Sequence, residues 1–193
     1  MRLLRADYST NVERVALTLA HKGVFEVESV VIDYADRSPV VEVSGQSLVP
    51  VLVDDDGAVV PDSIAIMRHL EDRGPRLFGP PEVDLFIEWF NEVWKAPPNA
   101  IEASTDAELI ATLAARMDGW LDLFERLLAQ RDYLITDELS AADFVAYPFL
   151  KYAAGRDPAD DELFHRILDD HQSVEGRPRL AAWIARIGSL PQC

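Results

Sequence analysis

The spacing of apolar residues near the N-terminus changes between the period of a strand and the period of a helix. Residues 2–6 (RLLRA) are a short segment with two central leucines, and residues 25–32 (FEVESVVI) alternate and are rich in Val and Ile. Both are predicted to be β-strands. Between them, apolar residues recur at helical spacing over 11–22, and Gly23 ends that run. The pattern therefore predicts a β-α-β unit at the start of the chain.

A second unit of secondary structure follows. A short helix is predicted to begin near Ser38-Pro39, because proline is favoured in the first helical turn. Residues 49–54 and 58–61 flank an Asp-Asp-Gly turn and predict a β-hairpin. A helical pattern over 63–72 ends at Gly74. Together these elements predict an α/β domain over residues 1–76.

The remainder of the chain reads as helical. Residues 77–83 (LFGPPEV) are predicted to be a linker, and residues 84–193 an all-helical domain. Pro97-Pro98 is predicted to break or kink the first long helix. The helical patterns cover 82–95, 106–131, 141–154, 160–171 and 178–188.

Composition and charge exclude several functional classes. Hydrophobic residues make up 49% of the chain and charged residues 27%, as in ordinary globular proteins. The net charge of −16 disfavours binding to nucleic acid and to anionic membrane surfaces. We find no apolar run long enough to span a membrane and no secretory signal. A small anion could bind only through local donors strong enough to overcome the acidic field.

Cysteine and histidine usage narrows the chemistry further. Cys193 is the only cysteine, which excludes a disulfide framework, a cysteine-ligated metal and a CxxC redox pair. This usage is compatible with the reducing cytoplasm, where we expect the protein to reside. The four histidines, His21, His69, His165 and His171, lack the spacing of metal ligands, so no metal is predicted.

Two helix starts carry the spacing of a capping box. Thr10 and Glu13 stand three residues apart, as do Ser140 and Asp143, and we expect Thr10 and Ser140 to be the N-caps. For Ser140 the alternative role, a serine nucleophile, is disfavoured because no histidine lies nearby in sequence.

The residues that flank the two boxes differ. Leu139 and Phe144 can form a hydrophobic staple over the helix that Ser140 begins. At the corresponding positions, the first helix has Ser9 and Arg14. We therefore predict a sealed start for the helix of Ser140 and a polar, open start for the first helix.

Four segments in order carry a resemblance that covers essentially the whole chain. Residues 8–24, 47–71, the linker and 132–150 (DYLITDELSAADFVAYPFL) resemble the corresponding parts of cytosolic glutathione transferases of the serine type. The resemblance implies an α/β plus all-α fold. It consists of a thioredoxin-like domain with a mixed four-stranded sheet, then a C-terminal helical bundle. It also implies a homodimer and glutathione as cosubstrate.

The resemblance assigns glutathione contacts to two places in the first domain. Val49-Pro50 would be a cis peptide bond whose preceding residue pairs with glutathione like an added strand. The plain alternative is a trans proline at the start of a strand. Asp62 would meet the γ-glutamyl ammonium, and Ser63 would bind the γ-glutamyl carboxylate. Asp62 is also well suited to cap the helix that follows.

The stretch Tyr8-Ser9-Thr10-Asn11 is the candidate catalytic segment. A hydroxyl at the positive end of a helix stabilises a thiolate, and the resemblance points to Ser9 as that hydroxyl. Tyr8 is the rival, and a polar turn without catalytic role is the third interpretation. Asn11 is a further candidate for glutathione binding, and Arg37 would meet the glycyl carboxylate unless it is a solvated surface arginine.

The expected reaction joins the glutathione sulfur to an electrophilic carbon of a small apolar compound. Leu48 departs from the family pattern, which often has Lys or Gln there, and Gln46 could substitute. This departure favours an alternative, a non-catalytic binding module of the same fold. A related glutathione-dependent isomerase or dehalogenase is also open. The aromatic residues Trp89, Trp94, Trp120 and Phe124 could line an acceptor pocket but more often form core.

Overall fold

The computed structural model describes residues 1–193 and divides them into two compact units. The first comprises Met1–Phe78 together with Leu190–Cys193, and the second comprises Gly79–Ser189. The first unit is α/β and the second is all-helical. The fold class predicted from the sequence is therefore confirmed.

The first unit is built on a mixed four-stranded sheet of order β2-β1-β3-β4. β1 and β2 are parallel, whereas β1–β3 and β3–β4 are antiparallel, so the predicted hairpin is confirmed. The elements are β1 (Arg2–Arg5), α1 (Thr10–His21), β2 (Glu28–Val31), α2 (Ser38–Ser44), β3 (Val51–Val53), β4 (Val59–Pro61) and α3 (Ser63–His69).

The second strand is shorter than the alternating sequence predicts. Glu28 pairs with Arg2 at the first position of β1, and the Glu28 N–H donates to the carbonyl of Met1. Residues 25–27 precede that register and have no partner on β1. Phe25 is accordingly 64% exposed.

Alternation along the strands buries both faces of the sheet. Leu3 packs with Val15 and Leu19 of α1 and with Ile66 of α3 in one apolar cluster. The next residue, Leu4, belongs to a second cluster. That cluster contains Leu4, Ala6, Ile32, Val40 and Val51. The helix α1 is thus held firmly against the sheet, which fixes the position of its first turn.

A buried ion pair holds the end of α1 to the segment after α3. Lys22 Nζ donates to the carboxylate of Glu71 at 2.7 Å and to the carbonyl of Pro75 at 2.6 Å. Glu71 in turn accepts the N–H groups of Leu77 and Phe78. Gly74 has φ +86°, and an added Cβ there would lie 2.9 Å from the carbonyl oxygen of Lys22. Only glycine fits this turn.

The second unit consists of six α-helices with one π-helical turn at Phe90–Trp94 and one 3₁₀ turn at Lys151–Ala154. Pro97 and Pro98 lie in the first turn of α5, so the predicted break is a helix start. The helices are α4 (Pro81–Trp89), α5 (Ala96–Glu102), α6 (Ala107–Leu127), α7 (Ala141–Leu150), α8 (Leu163–Asp170) and α9 (Pro178–Gly188).

The aromatic residues of the second unit are divided between core and surface. Trp94 and Phe124 are fully buried, and Trp94 stacks on Phe90 with ring centroids 4.5 Å apart. Trp89 and Trp120 are half-buried and meet edge to face at 5.6 Å. Core packing therefore accounts for Trp94 and Phe124.

The structure has neither a membrane-spanning helix nor a cluster of metal-ligating side chains. No helix combines the length and the apolar character that crossing a membrane requires. No group of three or more His, Cys, Asp or Glu side chains is arranged to hold a metal ion.

Candidate functional site

The N-cap of α1 is Ser9, one residue earlier than the sequence pattern indicates. Ser9 has extended backbone angles, and its Oγ accepts the N–H of Val12 at 3.4 Å. Its carbonyl accepts the N–H of Glu13 at 3.0 Å. Thr10 is already the first helical residue and is buried. The prediction of Thr10 as the cap was therefore wrong. The hydroxyl at the helix start belongs instead to the candidate catalytic serine, which is half-buried.

Two residues other than glycine have positive φ, and both lie at helix starts in this region. Tyr8, with φ +57°, immediately precedes the cap of α1, and Asp62, with φ +75°, is the cap of α3. Such conformations cost about 1–3 kcal/mol each, and they concentrate at functional sites. Tyr8 is 45% exposed.

The start of α3 combines an exposed carboxylate with a buried hydroxyl. Asp62 Oδ1 accepts the N–H groups of Ile64 at 2.8 Å and Ala65 at 3.2 Å. The prediction that Asp62 caps this helix is confirmed. Ser63, the first helical residue, is only 2% exposed.

Arg14 belongs to α1, and its side chain contacts the first turns of both α1 and α3. Its Nη1 donates to the carboxamide oxygen of Asn11 at 3.1 Å and to Oγ of Ser63 at 3.4 Å. The side chain is fully buried, and burial lowers the pKa of Arg14 to about 9, while the charge of Asp62 acts in the opposite direction. The guanidinium is therefore still charged at neutral pH.

Sequence reasoning missed Arg14 and interpreted it as a polar residue at an open helix start. The signal that could have found it is the helical stretch Val12–Ala20, whose residues other than Glu13, Arg14 and Thr18 are apolar. A helix that is apolar on nearly all sides is expected to be buried, and so is an arginine within it. Long charged side chains are rarely fully buried without partners, so Arg14 could have been expected to bind polar groups inside the protein.

The peptide bond between Val49 and Pro50 is cis, as predicted. It lies directly before β3, and Val49 is half-buried.

The loop before Val49 is held by two side chains. Arg37 donates from Nη1 to the carbonyl of Ser47 at 3.0 Å, and its guanidinium lies over the ring of Tyr34. Gln46 donates to the carbonyl of Leu48 at 2.7 Å and accepts the N–H of the same residue. The amide of Gln46 is thus committed within the loop, and Leu48 is 67% exposed.

Direct contacts link some of the predicted site residues to one another, and Arg37 is not among them. Asn11 and Ser63 contact the same guanidinium, and Asp62 lies close enough to influence the pKa of that group. Ser9 begins the same helical turn that contains Asn11. Arg37, in contrast, makes no hydrogen bond or ion pair with these residues and contacts the loop before Val49.

The start of α7 is closed, as the sequence predicts. Asp143 accepts the N–H and the hydroxyl of Ser140 at 3.0 and 3.1 Å, which forms a capping box. It also accepts the N–H of Leu134 and the indole N–H of Trp183, both at 2.9 Å. Burial raises the pKa of Asp143, and these hydrogen bonds oppose that rise. Ser140 is 4% exposed, and its hydroxyl already donates its one hydrogen to Asp143, so none remains for a ligand.

Two family sequence models match this chain. The model described as the N-terminal domain of glutathione S-transferase matches residues 8–73. The model described as the C-terminal domain of glutathione S-transferase matches residues 87–186. Among curated protein sequences, none matches the chain significantly.

Solved structures share the fold over nearly the full chain. A glutathione S-transferase domain-containing protein from Marinobacter aquaeolei VT8 is 20% identical, with TM-score 0.76 and coverage of 99% of this chain and 98% of its own. A glutathione S-transferase from Rhodospirillum rubrum F11 is 25% identical, with TM-score 0.74 and coverage of 97% and 87%. The Tau class enzyme from mango, Mangifera indica L., is 18% identical, with TM-score 0.79 and coverage of 97% and 88%.

Proposed function

We propose that this chain, which belongs to the glutathione S-transferase family, conjugates the glutathione thiolate to a small apolar electrophile. The observation that carries the proposal is the half-buried hydroxyl of Ser9 at the start of α1, in the same turn as Asn11. Members of the family use glutathione as cosubstrate, so the protein needs no nucleophile of its own.

In this proposal, Ser9 donates a hydrogen bond to the glutathione sulfur. A thiol with pKa near ~8.5 is only a few per cent ionised at neutral pH. A charge-assisted hydrogen bond and the positive end of α1 favour the thiolate and fix its direction. Tyr8 is the alternative donor. It precedes Ser9 in the chain, its backbone has positive φ, and its side chain is exposed.

Other residues would hold the tripeptide. Ser63 binds the γ-glutamyl carboxylate and Asp62 its ammonium, and the Asn11 carboxamide contributes to the same end. The backbone of Val49 pairs with the cysteinyl part, next to Pro50. Arg37 would reach the glycyl carboxylate from the loop that it now holds through Ser47.

A second function, a non-catalytic binding module, is favoured by the loop before Val49. The exposed Leu48 offers no polar contact, and the Gln46 amide is already bonded to the Leu48 backbone. Glutathione would then be held by fewer donors, in a protein of net charge −16. A glutathione-dependent isomerase or dehalogenase would use the same thiolate and the same Ser9.

A binding and turnover experiment separates these functions. Calorimetry measures the affinity for glutathione, and a generic aryl halide reports conjugation. We expect wild type and Ser140→Ala to bind and turn over alike, and Ser9→Ala to bind glutathione but lose most turnover. Binding without turnover, unchanged by Ser9→Ala and Tyr8→Phe, would establish the binding module. No binding of any low-molecular-weight thiol would contradict both.

We also propose that the protein is a homodimer, as its family generally is. Support comes from exposed apolar residues of the helical unit, Leu85, Val93 and Leu109, and from the half-buried pair Trp89–Trp120. A dimer interface would cover these side chains, and exposed apolar residues mark an interface where they form one contiguous patch. Sedimentation should give a dimer for wild type and a monomer for Leu85→Glu. A monomeric wild type would contradict the proposal.

We expect the protein to act in the cytoplasm on small molecules. The reducing cytoplasm keeps a lone thiol such as that of Cys193 free. The net charge of −16 supports a role without nucleic-acid partners. Fractionation of cells that produce the protein, followed by immunoblotting, tests the location.

A further inference from the structure

Arg14 is a charged group inside the protein for which the proposed thiol chemistry assigns no role. Its guanidinium is fully buried, yet it contacts Asn11 on its own helix and Ser63 on α3. Burying a charge is expensive unless the charge is paired and hydrogen-bonded, so the partners of Arg14 indicate what it holds in place. The two residues that it contacts are both candidates for holding glutathione.

The direction of the hydrogen bond to Ser63 matters. A guanidinium has donors only, so Arg14 must donate and the Ser63 oxygen must accept. A serine hydroxyl carries one hydrogen, and that hydrogen makes no bond to a protein acceptor here. Ser63 is 2% exposed, so this donor is withdrawn from bulk water. A buried hydroxyl whose oxygen already accepts a hydrogen bond from a cation can donate its hydrogen to an anion.

The overall charge makes a local cation useful. A net charge of −16 disfavours binding of a small carboxylate, and a positive charge close to the binding position opposes that effect. A buried guanidinium one hydrogen bond behind Ser63 offsets that repulsion at one position, and its low-dielectric surroundings strengthen the effect. The exposed carboxylate of Asp62 beside it gives the complementary charge for an ammonium.

We propose that Arg14 is the positioning residue of this site. It orients the Ser63 hydroxyl and the Asn11 carboxamide, and through Ser63 it selects ligands that carry the α-carboxylate of a γ-glutamyl group. This inference rests on the proposed function, because it takes glutathione as the ligand. It assigns a role to Arg14 that is separate from activation of the sulfur, because Arg14 acts on the ligand through Ser63.

The test compares two ligands by calorimetry, glutathione and 4-aminobutyryl-cysteinylglycine, which lacks only that carboxylate. We expect wild type to prefer glutathione at least about tenfold, as a charge-assisted hydrogen bond supplies. Arg14→Met should reduce this preference to less than about threefold. Lys22→Met is the matched control, because it removes the other buried cation at the end of α1. It should lower the melting temperature and keep the preference.

A charge-conserving variant guards against misfolding and tests the path through Ser63. Arg14→Lys should weaken glutathione binding when Ser63 is present and change it little in the Ser63→Ala background. If wild type binds glutathione but Arg14→Met or Arg14→Lys weakens both ligands equally, Arg14 is only structural and this inference is wrong. A wild type that binds neither ligand overturns the proposed function and this inference together.

Discussion

The helices α1 and α7 both begin with a serine cap, and they use that serine in opposite ways. At α7 the hydroxyl of Ser140 is enclosed and bonded to Asp143. At α1 the hydroxyl of Ser9 makes one long bond, 3.4 Å, to the N–H of Val12 and remains half-buried. The same residue type is thus enclosed and bonded to a carboxylate in one unit and left half-buried, with one long hydrogen bond, in the other.

The surroundings of the two serines explain the difference. Asp143 collects donors from Leu134, Ser140 and Trp183, which ties α7 to two other segments of the helical unit. At the start of α1 the Ser9 hydroxyl is bonded to the N–H of Val12 in its own helix, and the positive φ of Tyr8 turns the chain just before the cap. Whether a helix start is enclosed therefore depends on the side chains and N–H groups that other segments bring to it, and not on the cap residue alone.

The largest expected effect comes from opening the closed start. Asp143→Ala leaves the buried N–H groups of Leu134 and Ser140 and the indole of Trp183 without an acceptor. We expect the free energy of unfolding to fall by about 3–5 kcal/mol, measured by urea denaturation. Asp106→Ala is the control, because it removes an exposed cap carboxylate at the start of α6 and should cost about 1 kcal/mol. Equal losses in the two variants would contradict the contrast.

The next effect concerns chemistry at the open start. Ser9→Ala should lower kcat/KM with an aryl halide about 10- to 100-fold, because a hydrogen bond to a charged group contributes about 1.5–3 kcal/mol. Its free energy of unfolding should fall by about 1 kcal/mol, as for the loss of a helix cap. Steady-state kinetics and urea denaturation measure the two quantities. An unchanged kcat/KM in Ser9→Ala, with a loss in Tyr8→Phe, would transfer the catalytic role to Tyr8.

Ser140→Ala should show the reverse pattern. Loss of the capping box should lower the free energy of unfolding by about 1–2 kcal/mol, because Asp143 loses the hydrogen bond from the Ser140 hydroxyl. Glutathione affinity and kcat/KM should stay within about twofold of wild type under conditions where the protein is folded. A catalytic loss larger than that of Ser9→Ala would mean that the comparison is wrong.

The smallest effect is expected at Thr10. Thr10→Val removes the hydroxyl that the sequence pattern assigned to the cap, and keeps the shape of the side chain. Because Ser9 caps the helix, Thr10→Val should lower the free energy of unfolding by less than Ser9→Ala does in urea denaturation. A loss as large as that of Ser9→Ala would restore Thr10 as the functional cap.

Much of the fold follows from sequence because local signals and burial agree. The alternating strands and the Asp-Asp-Gly turn predict the hairpin, and Ser140 and Asp143 predict the closed box, since each feature involves neighbours in sequence. The structure bears these predictions out. The cis bond at Val49-Pro50 was found through the family resemblance rather than through local pattern.

The sequence predictions fail where contacts between distant segments determine the local structure. Ser9 and Thr10 are both acceptable caps, and the three-residue spacing to Glu13 favours Thr10. The positive φ of Tyr8 and the packing of α1 on the sheet place the extended residue at Ser9 instead. Arg14 was missed because its partner Ser63 is 49 residues away in sequence. The Gln46 amide folds back on Leu48, which no pattern predicts.

The turn at Gly74 has an evolutionary consequence. Its missing side chain admits the carbonyl of Lys22, whose ammonium pairs with Glu71, so the three positions form one structural unit. A substitution at any one of them alone should be selected against, because it leaves a buried charge unpaired or a carbonyl displaced. Among homologous sequences, these three positions should therefore be inherited together, even where the residues that surround Ser9 diverge with substrate.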